Sequence, residues 1–197
     1  EESAHIPWDV RSTWRRYWLV DPLDGTREFV KRNGEFTVNV ARVEDGVPVA
    51  GIVHPPVTGA LWWAERGVGA FRREADGGDT RLASTRPAPA ELRVAASRSH
   101  LDERTRALLG RLGPHQTFGL GSSLKFCRLA EGRADLYPRF GPTSEWDTAA
   151  AQCVLECAGG AVIDAEGQPL RCNRGPSLLN GDFIALGDPD LPWRTWL

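Results

Sequence analysis

Apolar positions along this chain keep two different rhythms. In the first part they form short runs, each closed by a turn signal. Tyr17-Trp18-Leu19-Val20 predicts a buried strand bounded afterwards by Pro and Gly. Arg27 to Arg32 predicts a short helical turn that Asn33-Gly34 stops. Glu35 to Val43 alternates, with Phe36, Val38 and Val40 facing one way and Thr37 and Asn39 the other, a half-buried strand. Asp45-Gly46 is a hairpin signal into a return strand, Val47 to Val53. Thr58-Gly59 turns into Ala60 to Ala64, and Arg66-Gly67 leads to Val68 to Phe71, so the strands form an antiparallel meander. Ala75 to Asp79 is expected to be an exposed polar tip. Residues 1–16 are polar, with Trp at intervals and no clear period.

Arg86-Pro87-Ala88-Pro89 is a short stiff linker, and the rhythm changes after it. Leu92 to Ala96 predicts a short buried strand, and Asp102 to Leu112 an amphipathic helix ending at Gly113-Pro114. Thr117 to Gly121 is extended up to Ser122, a good N-cap for a helix over Ser123 to Ala130 that Gly132 closes. Ala134 to Phe140 is a strand, Gly141-Pro142 turns the chain, and Asp147 begins a helix through Cys157 that Gly159-Gly160 terminates. Alternating strands and helices are the α/β pattern. The expected fold is an α/β (α+β) layered sandwich, an antiparallel sheet half followed by an α/β half. Residues 1–85 form the sheet-rich half and residues 90–197 the second, together one unit.

Composition narrows the partners. With 41% hydrophobic residues among 197 the chain can bury a sizeable core. A net charge of −2 provides no overall field for a nucleic-acid polymer or an anionic membrane. No apolar run approaches membrane-spanning length, and nothing resembles a signal peptide. Cys127, Cys153, Cys157 and Cys172 form no C-x-x-C pair, so reduced thiols are expected rather than a disulfide. Cys153 and Cys157 stand four apart on a helix, a spacing read as core packing rather than a metal clip. A cytoplasmic address follows, free or peripheral on the cytoplasmic face of the inner membrane. The chain has no Met and opens on Glu1-Glu2-Ser3, so its numbering is read as starting inside a longer gene product.

Candidate chemistry centres on Asp21-Pro22-Leu23-Asp24-Gly25-Thr26. Two carboxylates three residues apart, on a turn fixed by Pro22 and relaxed by Gly25, can converge on one point. Oxygen ligands of that kind suit Mg²⁺ with substrate phosphate, and Thr26 falls where the turn opens into a helix. An ordinary type I turn is the alternative. Asp147, at the first position of its helix, is either a third ligand or a cap. Ser122 is either a phosphate donor or a cap, and Lys125 is one of two lysines in a chain that otherwise uses Arg. Glu1 and Glu2 either fold back to the aspartates or remain solvated.

Trp18-Leu19-Val20-Asp21-Pro22-Leu23-Asp24-Gly25-Thr26, with Trp146-Asp147-Thr148-Ala149-Ala150 and Ala158-Gly159-Gly160 downstream, closely resembles the inositol-monophosphatase-like superfamily. These are Mg²⁺-dependent, lithium-sensitive phosphomonoesterases. Arg27 to Asn39, Gly121 to Cys127 and Leu136 to Thr143 resemble its 3′(2′),5′-bisphosphate nucleotidase branch, near the bacterial enzymes of sulfate assimilation. Glu1-Glu2-Ser3 looks like the tail of the family's first acidic motif. The family normally has several tens of residues before that motif, forming helices and supplying a further aspartate to the metal site.

The resemblance implies two or three Mg²⁺ ions held by Glu1, Asp21, the carbonyl of Leu23, Asp24 and Asp147. It gives Thr26 the hydroxyl that orients the attacking water, with Glu1 and Asp24 in the catalytic set. Gly25 and Thr26 would place N–H donors on the scissile phosphate, where Leu23, Asp24 and Asp147 also meet the substrate. Ser122, Lys125 and Arg139 are implied for a second phosphate and ribose, with His100 near the base. His100 is equally read as a surface loop histidine. The implied activity is hydrolysis of adenosine 3′,5′-bisphosphate, and of its sulfated relative, by a monomer or homodimer. The alternatives are an inositol or sugar monophosphatase and a non-catalytic nucleotide- or metal-binding module.

Overall fold

The structure, a computed structural model, describes residues 6–97 and 102–196. Its first sheet is the meander: β1 (Arg16–Asp24), β2 (Thr37–Glu44), β3 (Val47–His54), β4 (Leu61–Glu65), β5 (Gly69–Arg73) and β6 (Asp79–Arg81) pair antiparallel in chain order. The β2–β3 hairpin turns on Asp45 and Gly46, at φ 48° and 79°, the left-handed pair such a two-residue loop needs. Three features depart from expectation. β1, expected to be buried, leaves Trp18 and Val20 exposed at 62% and 48%. Residues 8–11 form one helical turn, α1 (Trp8–Arg11), whose buried Arg11 donates to Asn173 Oδ1 at 2.6 Å and to the carbonyls of Gly175 and Pro176. The polar tip stops short of Asp79, which pairs with Arg73 at 2.9 and 2.7 Å and draws its backbone into β6.

The second sheet is mixed. β7 (Leu92–Ser97) lies parallel to β8 (His115–Leu120) on one side and to β9 (Leu136–Arg139) on the other. β10 (Ala161–Asp164) and β11 (Phe183–Leu186) extend it antiparallel beyond β9. These last two strands have no counterpart among the expected elements, and each is only four residues long.

Helices hold the sheets together. α2 (Thr26–Val30) follows β1, and α3 (Glu103–Arg111) connects β7 to β8. α4 (Leu124–Ala130) and α5 (Glu145–Cys157) lie between the sheets, α5 on β2, β3 and β4 and both helices against the second sheet. One apolar cluster runs through these layers, from Val43, Val53 and Trp62 through Phe126 and Val154 to Phe183. A second, with Leu108, Leu136, Ile184 and Trp193, closes the outer face of the mixed sheet. The alternation expected for β2 is kept, but Thr37 and Asn39 point inward with Ala41 and Val43. No described helix is long and apolar enough to cross a membrane. All four cysteines are unbridged; Cys153 and Cys157 stand with sulfurs 4.0 Å apart.

Candidate active site

The two aspartates of β1 converge because the strand is bulged. Their sequence predicts a turn after a strand; the strand instead continues through them. Asp21 pairs with Asn39 and Asp24 with Thr37, so three steps along β1 span two along β2. Residues three apart on a regular strand face opposite ways, and one inserted residue restores the same face. Pro22 has no N–H to contribute to the ladder and is tolerated at such an irregularity. Leu23 N–H donates to Asp21 Oδ1 at 2.9 Å, fixing the loop internally. Gly25, at φ 86°, then turns the chain into α2, and Thr26 becomes the first residue of that helix.

Asp147 reaches the same point from α5. The helix begins earlier than expected, at Glu145, with Ser144 as its cap. Asp147 sits in its first turn and accepts from Ser144 N–H at 2.8 Å, closing a reciprocal capping box. Each of Asp21, Asp24 and Asp147 offers one carboxylate oxygen within 4.8 Å of the other two.

The electrostatics of this triad call for a cation. Burial pushes the Asp21 carboxyl up to about 7, with the Asp24 and Asp147 charges adding to it against the Leu23 N–H. Asp24 is also raised, first by burial and then by Asp147. Three oxygen-donating carboxylates with two members so perturbed fit a hard divalent ion such as Mg²⁺.

The ends of the mixed sheet's parallel strands complete the cleft. Ser97 ends β7, Gly121 and Ser122 follow β8, and Arg139 ends β9; all line a cleft of about 400 Å³ with the triad, Thr26 and Lys125. Ligands gather at such carboxyl ends of parallel strands. Ser122 is not the expected N-cap. A Cβ on Gly121 would stand 2.6 Å from Glu28 Cγ and 2.8 Å from Glu35 O, so the loop presses against the α2 side. Ser122 turns through φ 45°, and Ser123 takes the cap position. The Ser122 hydroxyl and Arg139 Nε are buried without a hydrogen-bond partner. Arg139 also donates to Pro142 O at 3.0 Å. Lys125, 5% exposed, donates to Ser122 O at 2.6 Å and Leu120 O at 3.3 Å, and burial lowers its ammonium to about 8.

Thus Asp21, Leu23, Asp24, Gly25, Thr26, Ser122, Lys125, Arg139 and Asp147 share one cleft. Glu1 and His100 lie outside the described residues. Sequence reasoning missed Thr37, Asn39 and Ser123, which are buried beneath Asp24 and bonded to one another. Their only local signal was a polar pair on one face of an alternating strand.

Over residues 1–190 the sequence matches the Inositol monophosphatase family. It is 51% identical over 176 residues to the 3′(2′),5′-bisphosphate nucleotidase CysQ of Shigella flexneri, covering 89% of this chain and 70% of that protein. The CysQ of Aggregatibacter actinomycetemcomitans is 40% identical over 195 residues, covering 98% and 72%. The crystal structure of CysQ from Bacteroides thetaiotaomicron, described as a bacterial member of the inositol monophosphatase family, superposes with a TM-score of 0.85 at 41% identity. That superposition covers 94% of this chain and 74% of that one. A bulged strand presenting two aspartates, a third from a capped helix and sequence agreement along nearly the whole length lead to one assignment: this chain belongs to the inositol monophosphatase family.

Proposed function

We propose that this chain is a 3′(2′),5′-bisphosphate nucleotidase. In this reading it hydrolyses adenosine 3′,5′-bisphosphate to AMP and inorganic phosphate with Mg²⁺, and accepts the sulfated relative as a second substrate. The observation that carries it is the mixed lining of one cleft. The acidic triad shares it with the unpartnered Ser122 hydroxyl and Arg139 Nε and with Lys125. An inositol monophosphate has no second phosphate for those cationic groups. The 51% identity to a CysQ nucleotidase supports the same choice.

The residues divide as follows. Asp21, Asp24, Asp147 and the Leu23 carbonyl would hold the cations. Bound divalent ions supply Lewis-acid chemistry, lowering the pKa of water and neutralising phosphoryl oxygens. Gly25 and Thr26 turn their N–H groups to the scissile phosphate at the start of α2, and the Thr26 hydroxyl orients the attacking water. Arg139 offers a planar fork to the second phosphate, beside Ser122 and Lys125. The address is cytoplasmic, in keeping with four unbridged cysteines.

Phosphate release tests this. Adenosine 3′,5′-bisphosphate should be hydrolysed with Mg²⁺, and much faster than inositol 1-phosphate. EDTA should abolish release and Li⁺ should inhibit it. Preference for inositol 1-phosphate, or no release from either, would overturn the proposal.

A further inference from the structure

Thr37, Asn39 and Ser123, at 0%, 1% and 2% exposure, are polar side chains buried where the first sheet meets the start of α4. Ser123 Oγ lies 2.9 Å from Thr37 Oγ1 and 2.8 Å from Asn39 Oδ1. Asn39 Nδ2 donates to Asp24 Oδ2 at 3.3 Å, and Ser123 N–H donates to the same oxygen at 2.7 Å.

Proton counting gives this network one direction. A hydroxyl has one proton, and the Asn39 carbonyl oxygen can only accept. The Ser123 proton therefore goes to Asn39, and the Thr37 proton goes to Ser123. Thr37 Oγ1 is also 3.4 Å from Asp24 Oδ2, a longer contact that competes for the same proton. The chain runs Thr37 to Ser123 to Asn39 to Asp24, each bond polarising the next. Ser123 stands 84 to 99 positions from Thr37, Asn39 and Asp24, so the network joins the first sheet to the start of α4. Ser123 is also the neighbour of Ser122, which lines the cleft from a left-handed backbone position.

We propose that Ser123 is a positioning residue that orients the Asp24 carboxylate for its cation and keeps it in register with the second-phosphate loop. The tandem serines thereby divide the work, Ser122 facing substrate and Ser123 facing the ligand that holds the cation. This rests on reading Asp21, Asp24 and Asp147 as the cation site. Groups that orient a metal ligand in this way contribute about 10–100-fold to metal affinity.

Calorimetric titration with Mn²⁺ alone, on the full chain without substrate, tests it. The variants are Ser123→Ala, Thr37→Val and Thr37→Ser, with melting temperatures measured in parallel. Thr37→Val keeps shape and removes the hydroxyl; Thr37→Ser keeps the hydroxyl. Ser123→Ala and Thr37→Val should each weaken Mn²⁺ binding about tenfold, and Thr37→Ser should bind like wild type. Unchanged Mn²⁺ affinity in Ser123→Ala and Thr37→Val, whatever their melting temperatures, would overturn the inference. An equal loss in Thr37→Ser would also overturn it, since packing alone would then explain the effect. Wild-type protein that binds no Mn²⁺ would instead remove the cation site itself, and this inference with it.

Discussion

Gly51 on β3 lies against the backbone of Ala150 on α5: a Cβ at Gly51 would stand 2.3 Å from the Ala150 carbonyl oxygen and 3.0 Å from its carbonyl carbon and Cα. The helix can approach the sheet this closely because Ala150 is small and Gly51 has no side chain. Asp147 is on the first turn of the same helix, so the contact sets its distance from the β1 carboxylates. Gly51→Ala should destabilise by about 1–3 kcal/mol, the usual cost of overpacking a core. Turnover should also fall, as Asp147 moves with the helix. Urea unfolding and phosphate release together check this; unchanged stability would mean that α5 does not depend on the close approach.

Asp24→Asn should cut turnover by orders of magnitude with the fold intact. The amide keeps an acceptor for Ser123 N–H but removes one charge from the cluster. Since burial is what raises Asp24, the neutral variant should melt no lower than wild type in EDTA. Near wild-type rates would sink the assignment of Asp24 to the cation site.

How much of this was legible in the sequence depended on the range of the cause. The meander and the helices were visible because their apolar periods and turn residues are local. The pairing of Asp21 with Asp24 was visible as spacing, but not the bulge that makes it work, because that depends on the register with Asn39 and Thr37. Asn39 and Thr37 face inward because Ser123, more than eighty residues on, satisfies them there. Alternation alone could not choose that face. Ser122 carried a cap signal that failed when Gly121 pressed the loop against Glu28. The true cap of α5 was written locally, since Ser144-Glu145-Trp146-Asp147 has capping-box spacing.

Metal-free protein should become more stable as pH falls. Asp21, raised to about 7, binds more protons folded than unfolded between its ordinary range near 4 and that value. The stability this provides is fully present below the lower value and is lost as pH rises through the upper one. In EDTA, melting temperature should therefore be higher near pH ~5 than near pH ~8, and Mg²⁺ should restore most of the loss at the higher pH. Melting curves at the two values, with and without Mg²⁺, decide it. A flat profile in EDTA would show that the carboxylates are already compensated without a cation.

Lys125 has a divided role. Two of its three donors go to the carbonyls of Ser122 and Leu120, which leaves one for a phosphate oxygen. Its ammonium, lowered to about 8 by burial, is charged at neutral pH and loses that charge as pH rises through that value. A charge-assisted hydrogen bond contributes about 1.5–3 kcal/mol, or roughly 10–100-fold in affinity. Lys125→Ala should raise KM for adenosine 3′,5′-bisphosphate by that order and affect adenosine 3′-monophosphate far less. The wild-type KM for the bisphosphate should climb above pH ~8, and the variant's should not. Equal KM increases for both substrates would dismiss Lys125 as a reader of the second phosphate and leave it only as the clamp on the Ser122 loop.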